Sequence, residues 1–177
     1  MAMDDKDKIR WFVMYTSVHQ EKKAAERLSL MCVEHFVATR RAKHKWSDRM
    51  KWIDEILIPS IIFVRTDEAG RLNALKDVPQ LVGSMWERGT KSPAVVPDKE
   101  MDNFIRICDQ HYESFNISNM AVGDKVEIVD GPLSGMEGIL TKCGGQHQFS
   151  VKVPNIGYAT ITVDPASLRK LETPVEN

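Results

Sequence analysis

The sequence predicts an α+β N-terminal domain, an antiparallel sheet flanked by helices, joined by a linker to a small all-β barrel. Three observations carry this. Residues 9–108 alternate apolar, β-branched runs with stretches of helical period. Residues 109–119 are polar and lack period, as linkers do. Residues 120–173 hold five short alternating segments parted by Gly, Pro, Asn and Asp, the texture of a small antiparallel barrel.

The elements follow in order. "IRWFVMYTSV" (9–18) is aromatic and β-branched and predicts a buried strand. In "HQEKKAAERLSLMC" (19–32) Ala24, Ala25, Leu28 and Met31 share one face, which predicts an amphipathic helix. "EHFVAT" (34–39) is a short strand, and "RRAKHKWSDRMKW" (40–52) a hairpin arm or exposed loop. In "IDEILIPSIIFVRTD" (53–67) Pro59 cannot donate to a ladder, so it marks a bend, bulge or edge, and "IIFV" (61–64) is a central strand. "EAGRLNALKDV" (68–78) is a short helix resting on Leu72 and Leu75, and "VGSMWER" (82–88) a further strand. A last helix within 92–110 has Asp98 as N-cap and Met101, Phe104, Ile105 and Cys108 on one face.

Composition bounds the function. The 177 residues are 42% hydrophobic and 28% charged, ordinary for a globular protein. No apolar run reaches the roughly 20 residues that span a bilayer, and the mixed-charge N-terminus has no signal-peptide core. The chain is expected to be cytoplasmic and monomeric, with reduced thiols and no membrane partner. Cys32, Cys108 and Cys143 are too few and too far apart for a disulfide framework or a zinc pair, and are expected as buried thiols. Net charge is −1, but residues 9–107 carry 17 Lys and Arg against 13 Asp and Glu, while 120–172 carry 5 against 6. The cationic surplus belongs to the first domain.

Catalysis is not expected. The five histidines, at 19, 35, 44, 111 and 147, form no metal or nucleophile signature. Asp54 and Glu55 are adjacent in a predicted strand and so face opposite ways. No cofactor and no metal are expected. "DGPLSGMEGIL" (130–140) is glycine-rich but is followed by no Lys-Ser/Thr and opens a strand, so it is no phosphate loop. Gly131 and Gly135 suit turns, and Gly138 a close backbone approach or bulge.

"VGDKVEIVDGPLSGMEGIL" resembles a KOW motif, in which Gly131, Gly135 and Gly138 are structural. "WFVMYTS…EKKAAERL", "IPSIIFVR" and "DVPQLVGSMWERGTKSPAVVPDKEMDNF" resemble the first strand and helix, the central strand and the closing block of NusG N-terminal domains. The likeness runs over residues 10–172. It implies a NusG-like domain at 9–108, a linker at 109–119 and a KOW domain at 120–173. Ser60 stands where the family usually has Gly or Asn, and Ile61 where it has Tyr. Together with "HKWSDRMKWIDEILIP", these departures resemble specialised UpxY-like paralogues of capsular polysaccharide operons in Bacteroides-type bacteria.

The resemblance implies an operon-specific elongation or antitermination factor that suppresses pausing or termination; a general NusG-type factor and a KOW-containing ribosome- or RNA-binding protein are the alternatives. It implies that an apolar surface of Tyr15, Leu57, Ile58, Ile61 and Phe63 binds the β′ clamp helices of RNA polymerase. The residue pattern alone also allows Leu57, Ile58 and Ile61 to be ordinary core. Arg40, Arg41, Lys43, Lys45, Arg49 and Lys51, with Trp46 and Trp52 interleaved, suit phosphate neutralisation and base stacking, or a merely solvated hairpin. The family places this stretch near upstream or non-template DNA. Gln20 and Lys23 on the first helix are further nucleic-acid candidates by likeness to RfaH-type members. A ribosomal protein or Rho is the implied KOW partner. The C-terminal half alternates as strands do and is expected as a barrel, not a helical hairpin.

Overall fold

The computed structural model describes residues 8–110, 115–118, 123–143 and 145–171. The strands are β1 (Arg10–Thr16), β2 (Glu34–Phe36), β3 (Thr39–Lys45), β4 (Met50–Ile56), β5 (Ile61–Thr66), β6 (Leu81–Ser84), β7 (Val95–Val96), β8 (Phe115–Ser118), β9 (Asp124–Ile128), β10 (Glu137–Cys143), β11 (Gln146–Val153), β12 (Gly157–Thr162) and β13 (Leu168–Lys170). The helices among the described residues are α1 (Glu21–Leu30), α2 (Glu68–Asp77) and α3 (Asp98–Asp109). The chain divides into two compact units, Met1–Met101 and Asp102–Asn177. The division falls inside α3, ahead of the boundary at 108 that the sequence suggests.

In the first unit an antiparallel sheet runs β2-β5-β1-β6, with β7 also paired to β1. Trp11 to Met14 and Ile61 to Val64 are all buried, because both faces of these central strands are covered. Side chains alternate across a strand, and the register sorts them. Phe12 lies opposite Val64 and Met14 opposite Ile62. These four join Ala24 and Leu28 of α1, Ala74 of α2, Val78 and Leu81 in one core cluster. Burying an aliphatic or aromatic side chain of this size contributes about 1.5–3 kcal/mol. The other face carries Trp11, Val13 and Tyr15 opposite Arg65, Phe63 and Ile61.

The helix ends explain two departures from expectation. α1 stops at Met31, and Cys32 takes φ 57°. The amide of Cys32 donates to the Ser29 carbonyl and that of Val33 to the Leu28 carbonyl, the paired bonds of a Schellman cap. Cys32 is therefore exposed rather than buried, and Met31 is 36% exposed instead of continuing the apolar face. α2 is capped by Asp67, whose Oδ1 accepts from the Gly70 amide at 2.6 Å. It does not rest on Leu72, which is 53% exposed. Arg71 takes the inward place, bonded to Glu68 and to Ser84 Oγ at 2.7 Å, with its guanidinium carbon 5.7 Å from the Phe12 ring centre. A buried guanidinium is tolerated because its donors are satisfied and its charge is paired.

Asp98, expected as an N-cap, is the first residue of α3, and its Oδ1 lies 3.4 Å from Arg65 Nε. The buried face of α3 is Met101, Phe104, Ile107 and Cys108; Ile105 is half-buried. The expected strand over 82–88 ends at Ser84, followed by a single bridge between Trp86 and Pro93.

The second unit holds a six-stranded antiparallel sheet in the order β13-β9-β10-β11-β12-β8. β9 to β13 coincide with the five alternating segments. The sequence reads residues 109–119 as linker and gives no strand there; β8 nevertheless forms within them and pairs with β12, where it satisfies the backbone groups of an edge strand. Residues 111–114 and 119 of that linker lie outside the described residues. The described buried side chains include Val126, Ile128, Leu133, Met136, Phe149, Val151, Val153 and Ile161. Ser150 and Thr160, opposite each other on β11 and β12, share a buried hydroxyl bond of 2.7 Å.

The glycines of 130–140 build this unit's corner. Gly131 and Gly135 have φ of 79° and 82°, a region that glycine enters without steric cost. The Gly131 amide donates to Asp130 Oδ1 at 2.7 Å and that of Gly135 to the Ile128 carbonyl at 2.8 Å. Gly138 is a close approach: a Cβ there would sit 2.6 Å from the Phe149 ring and from the Ser150 carbonyl oxygen. Gly138→Ala is expected to cost about 1–3 kcal/mol through overpacking, read as a lower urea midpoint in far-UV circular dichroism. Gly131→Ala meets open space and should cost only its positive φ, about 1–2 kcal/mol.

Candidate functional site

Two surfaces of the first unit collect the residues singled out by the sequence. The first lies where β4 turns into β5. Leu57 to Ser60 form that turn, consistent with a bend at Pro59. The Leu57 amide donates to the Ala38 carbonyl at 2.8 Å, and the Thr16 amide to the Ser60 carbonyl at 2.9 Å. The second bond joins the turn to the end of β1, directly after Tyr15. Tyr15 is 38% exposed, and Leu57 and Ile58 are half-buried. Ile61, opposite Tyr15 in the register, keeps 6% of its surface and Phe63 none. The expectation that Ile61 and Phe63 belong to a contact surface is therefore corrected. They are interior residues of the central strand, and Phe63 lies 6.3 Å from the Phe36 ring.

The second surface is the β3–β4 hairpin, a two-stranded sheet separate from the main one. Its tip closes through the Trp46 amide and the Arg49 carbonyl, 2.8 Å apart. The register pairs Arg41 with Asp54, Lys43 with Trp52 and Lys45 with Met50. Alternation puts these six on one face. Arg40, Ala42 and His44, paired with Glu55, Ile53 and Lys51, take the other.

The faces differ in kind. On the first, the Arg41 guanidinium lies 5.6 Å and the Lys43 ammonium 5.3 Å from the Trp52 ring centre. Exposed contacts of this type are worth about 0.5–1 kcal/mol each, and they hold two cations beside a ring that is 49% exposed. On the second face Arg40 Nε is paired with Glu55 at 2.8 Å, and Lys51 is exposed. Trp46 and Arg49 stand exposed at the tip. The structure thus groups Arg41, Lys43 and Lys45, and separates Arg40 and Lys51 from them. Lys23 is exposed on the first turn of α1, and Gln20 is its half-buried N-terminal neighbour, making no side-chain cap.

Two residues near these surfaces escaped the sequence reading. Glu21 is 3% exposed, and its Oε1 accepts from the Ser60 amide at 2.7 Å. Lys22 donates to the Asp54 carbonyl at 3.1 Å. An acid and a lysine opening a helix are unremarkable in sequence, and no local signal marks either as a tether.

Among the described residues no group of three or more His, Cys, Asp or Glu is arranged to hold a metal, and no helix is long and apolar enough to cross a membrane. The Cys108 thiol is pushed up to about 12 by burial and, less, by Asp109.

The model of the family described as "Transcription termination factor nusG" matches residues 9–105, which include both surfaces. The chain belongs to the NusG family. It is 26% identical over 165 residues to the transcription termination/antitermination protein NusG of Lactococcus lactis, covering 85% of this chain and 86% of that one. It is 27% identical over 143 residues to NusG of Streptococcus pyogenes, covering 72% and 77%. A solved structure titled "Domain interaction in Thermotoga maritima NusG" shares the fold at a TM-score of 0.52 and 21% identity, over 93% of this chain and 98% of that one. The protein is thus a NusG-type transcription termination/antitermination factor, with mixed α and β structure.

The thiols give a direct check on the placement of α3. With its raised value, Cys108 stays protonated at pH 8, and the thiol rather than the thiolate is poorly reactive. Peptide mapping after brief iodoacetamide treatment at pH 8 should find Cys32 alkylated and Cys108 spared, with Cys108 reacting after denaturation.

Proposed function

We propose that this protein is an operon-specific elongation and antitermination factor. Its first unit binds RNA polymerase at the β′ clamp helices and suppresses pausing or termination. Its second unit is a KOW barrel that recruits a further partner, a ribosomal protein or Rho. The observation that carries the reading is the pairing of an exposed Tyr15 with the Leu57–Ile58 turn, anchored to one another through the bond between Thr16 and Ser60. A rigid aromatic beside aliphatic side chains suits the apolar face of a partner helix. Operon specificity draws on the departures at Ser60 and Ile61 and on the sequence of the hairpin.

The polymerase contact is tested with the full-length chain and purified core RNA polymerase. Wild type should be retained in a pull-down. Tyr15→Ala with Ile58→Glu should lower affinity at least about tenfold, as for a central aromatic anchor, while circular dichroism stays unchanged. Failure of wild type to bind would sink the reading and direct attention to the ribosome.

The hairpin contributes the nucleic-acid contact. Arg41, Lys43 and Lys45 form its cationic face, Trp46 and Arg49 its tip, and Arg40 and Lys51 the opposite side, with Gln20 and Lys23 on α1 as further contacts. Each phosphate neutralised on single-stranded nucleic acid adds about 0.7 to the slope of log affinity against log salt. The Arg41→Ala, Lys43→Ala, Lys45→Ala variant should therefore lose about 2 from that slope in titrations with single-stranded DNA. An unchanged slope would reduce the hairpin to a solvated arm.

A further inference from the structure

We propose that Glu21 is a positioning residue for the polymerase contact: its buried carboxylate holds the Pro59–Ser60 turn in the conformation that presents Leu57 and Ile58 beside Tyr15. The inference rests on the polymerase reading given above.

Ser60 has φ 60°, a region that residues other than glycine, asparagine and aspartate rarely enter. Two hydrogen bonds keep it there. Its amide donates to Glu21 Oε1 at 2.7 Å, and its carbonyl accepts from the Thr16 amide at 2.9 Å. Both polar backbone groups of the strained residue are thereby bound, one by the first turn of α1 and one by the end of β1. Glycine would adopt this conformation without assistance. The chain instead has serine there, and a carboxylate from 39 residues earlier.

Burial of Glu21 supports a dedicated role. A carboxylate taken out of water needs compensation, and here it comes from a charge-assisted bond and from the positive end of the α1 dipole. The neighbouring Lys22 reaches the Asp54 carbonyl on β4 at 3.1 Å. The first turn of α1 therefore grips the chain on both sides of the Leu57–Ile58 turn.

The test uses the full chain, with amide hydrogen exchange at Ser60 and titration against core RNA polymerase read side by side. In Glu21→Ala, exchange at Ser60 should accelerate about tenfold or more, the loss of one charge-assisted hydrogen bond. Polymerase affinity should fall by roughly the same factor. Glu21→Gln keeps an acceptor oxygen and should retain most of both. Ser60→Gly placed in the Glu21→Ala background should recover affinity without restoring the bond, since glycine needs no help to hold the turn.

Unchanged exchange in Glu21→Ala overturns the tether. Faster exchange with undiminished affinity overturns the positioning role while leaving the tether. A loss that Ser60→Gly fails to rescue assigns the effect to general destabilisation and also overturns the role. If wild type does not bind polymerase, the underlying reading falls and the functional part of this proposal with it. The exchange data then still decide whether Glu21 holds the turn.

Discussion

The first unit depends on one pairing, the antiparallel register of β1 with β5. β1 also carries β6 and β7, so it is the strand through which the sheet is connected. Its alternation splits the apolar residues into two sets. Phe12 and Met14 meet Val64 and Ile62 on the side that α1 and α2 cover, and Val13 meets Phe63 on the other. A register slip of one residue would exchange the two sets, sending Phe12 and Met14 to the opposite buried face, where they do not fit, and turning Tyr15 toward the helices. The pairing also places Tyr15 at the end of the sheet where the chain turns from β4 into β5. Position of the apolar surface is thus a consequence of core register.

The hairpin is built on a different principle. A two-stranded ribbon has too little buried area to be stable by itself, and among the described residues β3–β4 belongs to no larger sheet. It is supported by local contacts: Arg40 with Glu55, Arg41 and Lys43 with Trp52, and Lys22 with the Asp54 carbonyl. Most of its side chains are exposed, since few serve a core. Strand alternation turns a basic stretch of sequence into one cationic face and one partly neutralised face. Three of its six cations, Arg41, Lys43 and Lys45, therefore share one face, and the others do not.

Much of this was legible in the sequence. The apolar runs, helical periods and glycine punctuation are local, and they mark β1, α1, β2, β5, α2, β6, α3 and the strands β9 to β13, but not β7, whose two residues Val95 and Val96 are too short a run to show a period. The cationic stretch at 40–51 is visible from composition, while the choice between hairpin and loop is left open there. The misreadings share a cause. Leu72 was assigned inward because it is apolar, yet Arg71 can enter the core when Glu68 and Ser84 satisfy it. Cys32 was assigned to the interior by residue type, yet a left-handed cap turns it outward. Phe63 and Ile61 were placed at a surface by likeness of motif, and the covering of β5 on both faces removes them from it.

The sequence by itself determined the kinds of element, their order, the glycine-dependent corner at 130–138 and the chemistry of the hairpin. Each follows from residues within a few positions of one another. The tertiary structure alone decided which apolar residues around Pro59 remain accessible, which cations share a face with Trp52, and that Glu21 is buried against Ser60. Those outcomes depend on strand register and on bonds between segments far apart in the chain, for which periodicity carries no information.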